Sequence, residues 1–212
     1  MIRVHHLESS RSQRVLWLLE ELGIPDYEVV RYERNPATML APPELRQVHP
    51  LGKSPLIQED DGPALAETGA IIEDLLQRFD TAGRLVPLRG TPEHRRYLHW
   101  LHFAEGTAMT PLLLKLYLGR LGEAAGPILP RVEEQIRAHL DYMEASLADG
   151  GHFAGDAFSA ADVQMSFPVE VSVARGGLGP DRPKLWNWLG RMQARPAYRR
   201  ALERGGPYAF AR

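Results

Sequence analysis

Segments that read as β-strands are confined to the first eighty residues of this chain, and every later periodic stretch is helical. Ile2 to Leu7 alternates loosely, and Tyr27 to Tyr32 is rich in Val and Tyr, as strands are. Between them Val15, Leu18, Leu19 and Leu22 form the stripe of an amphipathic helix, closed by Gly23 and Pro25. Pro43 to Val48 predicts a short helix stopped at Pro50, and Pro55 to Glu59 a third strand. Asp60-Asp-Gly62 predicts a hairpin turn, and Ala64 to Ala66 a brief fourth strand. Ile71, Ile72, Leu75, Leu76 and Phe79 give a second helical stripe. A β-α-β start implies a parallel pair with a right-handed crossover.

Residues 81–92 carry glycines and prolines without a helical period and read as a linker. Beyond it, residues 93–120, 128–148, 160–175, 183–194 and 196–204 are predicted helices separated by Gly or Pro. The expected architecture is therefore a small α/β domain over 1–80, a linker over 81–92 and an all-α bundle over 93–212.

Composition removes whole classes of function. The net charge is −2 and no segment carries a basic stripe, which argues against a nucleic-acid partner. No apolar run approaches a membrane span and the first residues lack a signal-peptide layout, so no membrane partner is expected and the expected location is cytoplasmic. There is no cysteine, so disulfides, thiolate zinc sites and a protein thiol nucleophile are all absent. Any thiol chemistry must use a sulfur that arrives with the substrate.

Three short stretches carry more polarity than structure requires. Glu8-Ser-Ser-Arg-Ser-Gln-Arg14 places three serines and two arginines at the start of the first helix. One serine suffices as an N-cap, a role open to Ser12. Free backbone N–H groups and the positive end of the dipole make such a helix start an anion site. In His49-Pro-Leu-Gly-Lys53-Ser54-Pro55, a cis bond before Pro55 would turn the main chain of Ser54 outward, to pair with an extended peptide. The bland reading of Pro55 is an edge strand. In Ala66-Glu67-Thr68-Gly69, Thr68 and Glu67 serve either as ordinary caps or as a clamp for a carboxylate and an ammonium group. Together these parts would suit a short γ-glutamyl peptide that bears a thiol.

Ser10-Arg-Ser-Gln-Arg-Val-Leu-Trp-Leu-Leu-Glu-Glu-Leu, Pro43-Glu-Leu, His49-Pro-Leu-Gly-Lys-Ser-Pro and Glu67-Thr68 resemble the glutathione S-transferases. The subgroup most similar is a bacterial and fungal serine type whose first helix opens with Ser-Arg. Trp100-Leu-His-Phe-Ala-Glu-Gly106 and the stretch around Ser159 extend the resemblance to nearly the whole chain. It implies a thioredoxin-like N-terminal domain, an all-helical C-terminal domain, a homodimer, and glutathione as co-substrate without a metal.

Carried over residue by residue, the resemblance gives Ser10 the role of thiolate partner, with Ser9 competing through a one-residue register shift and Arg11 adding positive potential. Lys53 would reach the glycyl end of glutathione, and Ser54 would pair with its cysteinyl backbone beside a cis Pro55. Glu67 and Thr68 would hold the γ-glutamyl head. Two positions depart from the family pattern: Thr68 stands where Ser is common, and Ser54 where Val or Ile is common.

The implied activity is attack of the glutathione thiolate on a hydrophobic electrophile, a detoxification type of transfer. The electrophile is expected between the domains, against Glu105, Met109, Leu112, Leu113, Leu116 and Tyr117, although an aliphatic stripe of this kind also reads as core. The same co-substrate would also serve a peroxidase, disulfide reductase, dehalogenase or isomerase. A non-catalytic scaffold is the rival of a different class, and Ser10, Lys53, Glu67 and Thr68 weigh against it. His99, His102 and Glu105 recur every three residues, which spreads them around a helix and predicts no metal site. Ser159 and Asp162 form a predicted capping box with a structural role.

Overall fold

A computed structural model describes all of residues 1–212, and the chain divides into two compact units. The first unit contains Met1–Gly83 together with Gln193–Ala211, and the second contains Arg84–Met192 with Arg212.

In the first unit, β1 (Ile2–Leu7) lies between β2 (Tyr27–Tyr32) and β3 (Leu56–Glu59). It pairs parallel to β2, Val4 opposite Val29, and antiparallel to β3, Val4 opposite Ile57. Five of its six residues are buried, as befits a central strand covered on both faces. The expected fourth strand does not extend: only Leu65 pairs, with Ile57, through reciprocal N–H···O bonds of 3.1 and 2.8 Å. Pro63 lacks the N–H that a longer ladder would need, and Glu67 already turns into the next helix with φ of 69°.

Helix α1 (Gln13–Leu22) buries Val15, Leu18, Leu19 and Leu22 as its stripe requires. Gly23 ends it with φ of 71°, and the Ile24 N–H closes on the Leu19 carbonyl at 3.0 Å. Helix α2 (Leu45–Val48) is a single turn, and α3 (Thr68–Phe79) buries Ile71, Ile72, Leu75 and Leu76.

The second unit is helical. The segment predicted as one helix over 93–120 is broken into α4 (Pro92–Phe103), a π turn (Ala104–Ala108) and α5 (Met109–Leu118). Pro111 has no N–H to return to Thr107, and the widened turn just upstream absorbs the mismatch. Helices α6 (Leu129–Ser146), α7 (Ala160–Val171) and α8 (Pro183–Gln193) complete the unit. A second π turn over Ser172–Gly176 follows Pro168, which lies inside α7.

Asp162 sits fully buried in this unit and accepts from the N–H groups of Ser159 (2.9 Å) and Phe153 (3.1 Å) and from the Trp188 indole (2.9 Å). The capping box at Ser159 is formed, and its carboxylate also ties the preceding loop and α8 to α7. Helix α9 (Pro196–Gly205) departs from the expected division. It packs on α1, with Trp17 edge-on to Tyr198 at 5.2 Å and Arg195 paired to Glu21 at 2.6 Å. A helical period does not reveal which sheet or bundle a terminal helix will join, so the boundary of the 93–212 segment moves to Gln193 for this stretch.

Candidate functional site

The last residue of β1 is where the polar stretches meet. Leu7 donates its N–H to Ser54 Oγ at 3.2 Å, and its carbonyl lies within hydrogen-bond reach of Ser12 Oγ at 3.3 Å. Ser54 Oγ in turn donates to the His5 carbonyl at 2.7 Å. A serine at this position therefore ties the loop before β3 to the main chain of β1, which a Val or Ile could not do. The Ser54–Pro55 bond is cis, and no other main-chain group engages the N–H or C=O of Ser54.

Ser12 does not cap α1 through its side chain. Its hydroxyl lies 2.8 Å from Ser10 Oγ and 2.9 Å from His6 Nδ1, while its own N–H donates to Ser10 Oγ at 3.3 Å. The first turn instead closes through main-chain bonds, among them Gln13 N–H to the Ser10 carbonyl at 3.2 Å. Ser10, Ser12 and His6 are all buried. Burial, with a smaller push from the charge of Arg31, lowers the His6 imidazole to about 4, so the ring is neutral at neutral pH.

Ser9 has a different fate. Its φ is 46°, its Oγ accepts from the Ala209 N–H at 3.1 Å, and its carbonyl accepts from Arg34 at 3.3 Å. The two candidate serines are thus held by different parts of the same unit. Arg11 is half-buried, and its carbonyl accepts from Arg14.

The third stretch joins the others through Arg14, whose guanidinium donates to Thr68 Oγ1 at 3.1 Å. Thr68 is buried and opens α3, whereas Glu67 before it is exposed with φ of 69°. A non-glycine residue in that conformation is uncommon and marks a backbone held by its surroundings. Lys53 is exposed.

Arg14 and His6 are the residues that motif reading passes over. Arg14 precedes Leu18 by one turn and so falls on the apolar stripe, where a charged residue requires a buried partner. His6 falls on one face of the central strand with Val4, another buried position.

In the helical unit, Glu105 lies in the π turn, Leu113 and Leu116 are half-buried, and Tyr117 is exposed. Met109 and Leu112 are buried core residues, and the Leu112 side chain lies against Gly176. His99 donates to or accepts from the Tyr142 hydroxyl at 3.0 Å and packs edge-on to Trp100. His102 is exposed.

The sequence of the glutathione S-transferase N-terminal domain family matches residues 8–78, and that of the C-terminal domain family matches residues 126–208. The chain belongs to the glutathione S-transferase family. Glutathione S-transferase 3 of Schizosaccharomyces pombe is 34% identical, with 96% of this chain and 88% of the relative aligned. A solved glutathione S-transferase from Actinobacillus pleuropneumoniae superposes with a TM-score of 0.90 at 34% identity, covering 100% of this chain and 96% of that one. A sphingomonad glutathione S-transferase solved in complex with glutathione gives a TM-score of 0.75 at 25% identity, covering 96% and 98%. Both transferase domains, the small mixed sheet and the helical bundle are thereby accounted for.

Proposed function

We propose that this glutathione transferase binds glutathione at the junction of β1, α1, β3 and α3 and activates its thiol through Ser10. The observation that carries this reading is the set of polar contacts through which Leu7, Ser12 and Arg14 gather the Ser10, Ser54 and Thr68 stretches in one unit. Ser54 offers its main chain to the cysteinyl part, with cis Pro55 beside it. Glu67 accepts from the γ-glutamyl ammonium, Thr68 and the start of α3 hold its carboxylate, and Lys53 neutralises the glycyl end. The glutathione complex of the sphingomonad relative supports this choice of co-substrate.

Ser10 donates a hydrogen bond to the sulfur, and the positive end of α1 with Arg11 favours its negative charge. The thiol proton leaves to solvent. The thiolate then forms a carbon–sulfur bond to an electrophilic carbon, and in a substitution the leaving group departs with its electron pair. Serine forms no covalent intermediate. This assigns the chain to the serine-type subgroup that opens its first helix with Ser-Arg. Ser9 is the less suited of the two, because the Ala209 N–H fixes its hydroxyl toward the C-terminal segment.

The hydrophobic electrophile is assigned to the surface offered by Glu105, Leu113, Leu116 and Tyr117, while Met109 and Leu112 belong to the core. No helix is long and apolar enough to cross a membrane, in keeping with a cytoplasmic detoxification role. The family resemblance supports a homodimer, which sedimentation equilibrium would test. Titration with glutathione tests the reading as a whole. Quenching or enhancement of Trp fluorescence and a raised Tm at millimolar glutathione are expected. No change in either would remove the enzymatic reading.

A further inference from the structure

We infer that His6 and Ser12 are positioning residues that aim the Ser10 hydroxyl proton at the substrate sulfur, through a buried chain His6 Nδ1–H → Ser12 Oγ–H → Ser10 Oγ–H. This rests on the reading of Ser10 as the thiolate partner and goes beyond it, because it states why that hydroxyl donates.

Protons and lone pairs fix the polarity of this chain. A serine hydroxyl has one proton to give and two lone pairs to offer. Ser10 Oγ meets two groups, the Ser12 N–H at 3.3 Å and Ser12 Oγ at 2.8 Å. If Ser12 donates along the shorter contact, both lone pairs of Ser10 are occupied, and its proton has only the sulfur left to serve. Ser12 donates that way when its neighbour at 2.9 Å donates to it instead of taking its proton. The nitrogen 2.9 Å away, His6 Nδ1, is the one ring atom placed to do so.

The opposite polarity disables the site. With the proton on Nε2, Nδ1 accepts from Ser12, Ser12 becomes the acceptor for Ser10, and no hydroxyl proton remains for the thiolate. The tautomer of a neutral imidazole thus sets the direction of the whole chain. Burial keeps the ring neutral, which preserves the choice between tautomers. On the far side of the ring, His6 Nε2 and Gln13 Oε1 both lie close to Gly205, and both polar atoms of that Gln13 amide are buried without a hydrogen bond.

The Leu7 carbonyl, 3.3 Å from Ser12 Oγ, is the competing acceptor. When His6 supplies no proton, Ser12 donates to Leu7 and draws in the proton of Ser10. Removing His6 therefore damages Ser10 only while Ser12 is present.

The test is a titration of the thiol in the glutathione complex, read by ultraviolet difference absorbance of the thiolate in the full-length protein. His6→Leu is expected to weaken thiolate formation about tenfold, approaching Ser10→Ala. Ser12→Ala alone is expected to change it less than about threefold, and the His6→Leu/Ser12→Ala double variant to return to that level. A double variant that recovers from a single one is a coupling that mere packing does not produce. His6→Asn, whose amide nitrogen takes the place of Nδ1, is expected to rescue. His6→Gln, whose amide lies one bond further out, is not, and this pair decides the matter even if His6→Leu fails to fold. Equal behaviour of Asn and Gln, or a double variant no better than His6→Leu, would overturn the inference. If Ser10→Ala leaves the thiol titration unchanged, the fault lies instead with Ser10, and the relay falls with it.

Discussion

Ser10 Oγ lies 2.8 Å from Ser12 Oγ at the start of α1, while the hydroxyl of its neighbour Ser9 accepts from the Ala209 N–H. A hydrogen bond to a charged group contributes about 1.5–3 kcal/mol, so Ser10→Ala is expected to lower kcat/KM for glutathione conjugation about ten- to a hundredfold. Steady-state kinetics at saturating electrophile would check this, with glutathione binding retained. Asp162 makes the comparable case for stability. It takes N–H donors from two main-chain groups and an indole in a fully buried setting. Asp162→Ala strands those donors, and a loss of about 3–5 kcal/mol or failure to fold is expected in urea unfolding. Ser10 stands out in sequence because one serine suffices as a cap, and Lys53, Glu67 and Thr68 stand out through the family resemblance. Ser12 reads as an N-cap but its hydroxyl lies against His6, because the position that marks an N-cap also brings it to the end of β1.

Among the elements, periodicity located the helices well and misjudged where a segment ends or changes pitch. The stripes of α1 and α3 predict their buried faces, since amphipathic spacing depends on local pattern alone. The fourth strand shrank to one bridge and the long helix acquired a π turn, because both outcomes depend on prolines interacting with a fold already in place. Helix α9 approaches α1 closely at Gly205, where an added Cβ would lie 3.0 Å from Leu16, 3.1 Å from Gln13 and 3.2 Å from His6 Nε2. Gly205→Val is expected to destabilise the protein by about 1–3 kcal/mol, measured as a lower denaturant midpoint with an unchanged m-value. An unchanged midpoint would mean that α9 does not press on α1 in solution.

For the whole molecule, the change from mixed to purely helical periodicity near residue 80 predicts two segments, and the first compact unit takes in Met1–Gly83. The return of residues 193–211 to the first unit was not legible, because long-range packing leaves no periodic trace. The buried histidines give the chain a characteristic pH response. His6 titrates at about 4 when folded against 6.5 when unfolded, so between those values the unfolded state binds more protons. Its contribution is complete above about pH 6.5 and falls away as pH drops toward about 4, by roughly 3 kcal/mol. His5 and His139, also lowered by burial, act with the same sign. Chemical unfolding across that range is expected to show declining stability, with a shallower slope in His6→Asn; equal slopes would place the His6 ring in a wetter setting.

The most direct measurement is the pH titration of the glutathione thiolate band in complexes of the parent protein, Ser9→Ala and Ser10→Ala. The parent and Ser9→Ala complexes are expected to form thiolate well below the pH at which free glutathione does, with Ser10→Ala shifted back toward the free thiol. A Ser10→Ala complex that titrates like the parent, or a Ser9→Ala complex that loses the shift, would contradict the assignment of Ser10.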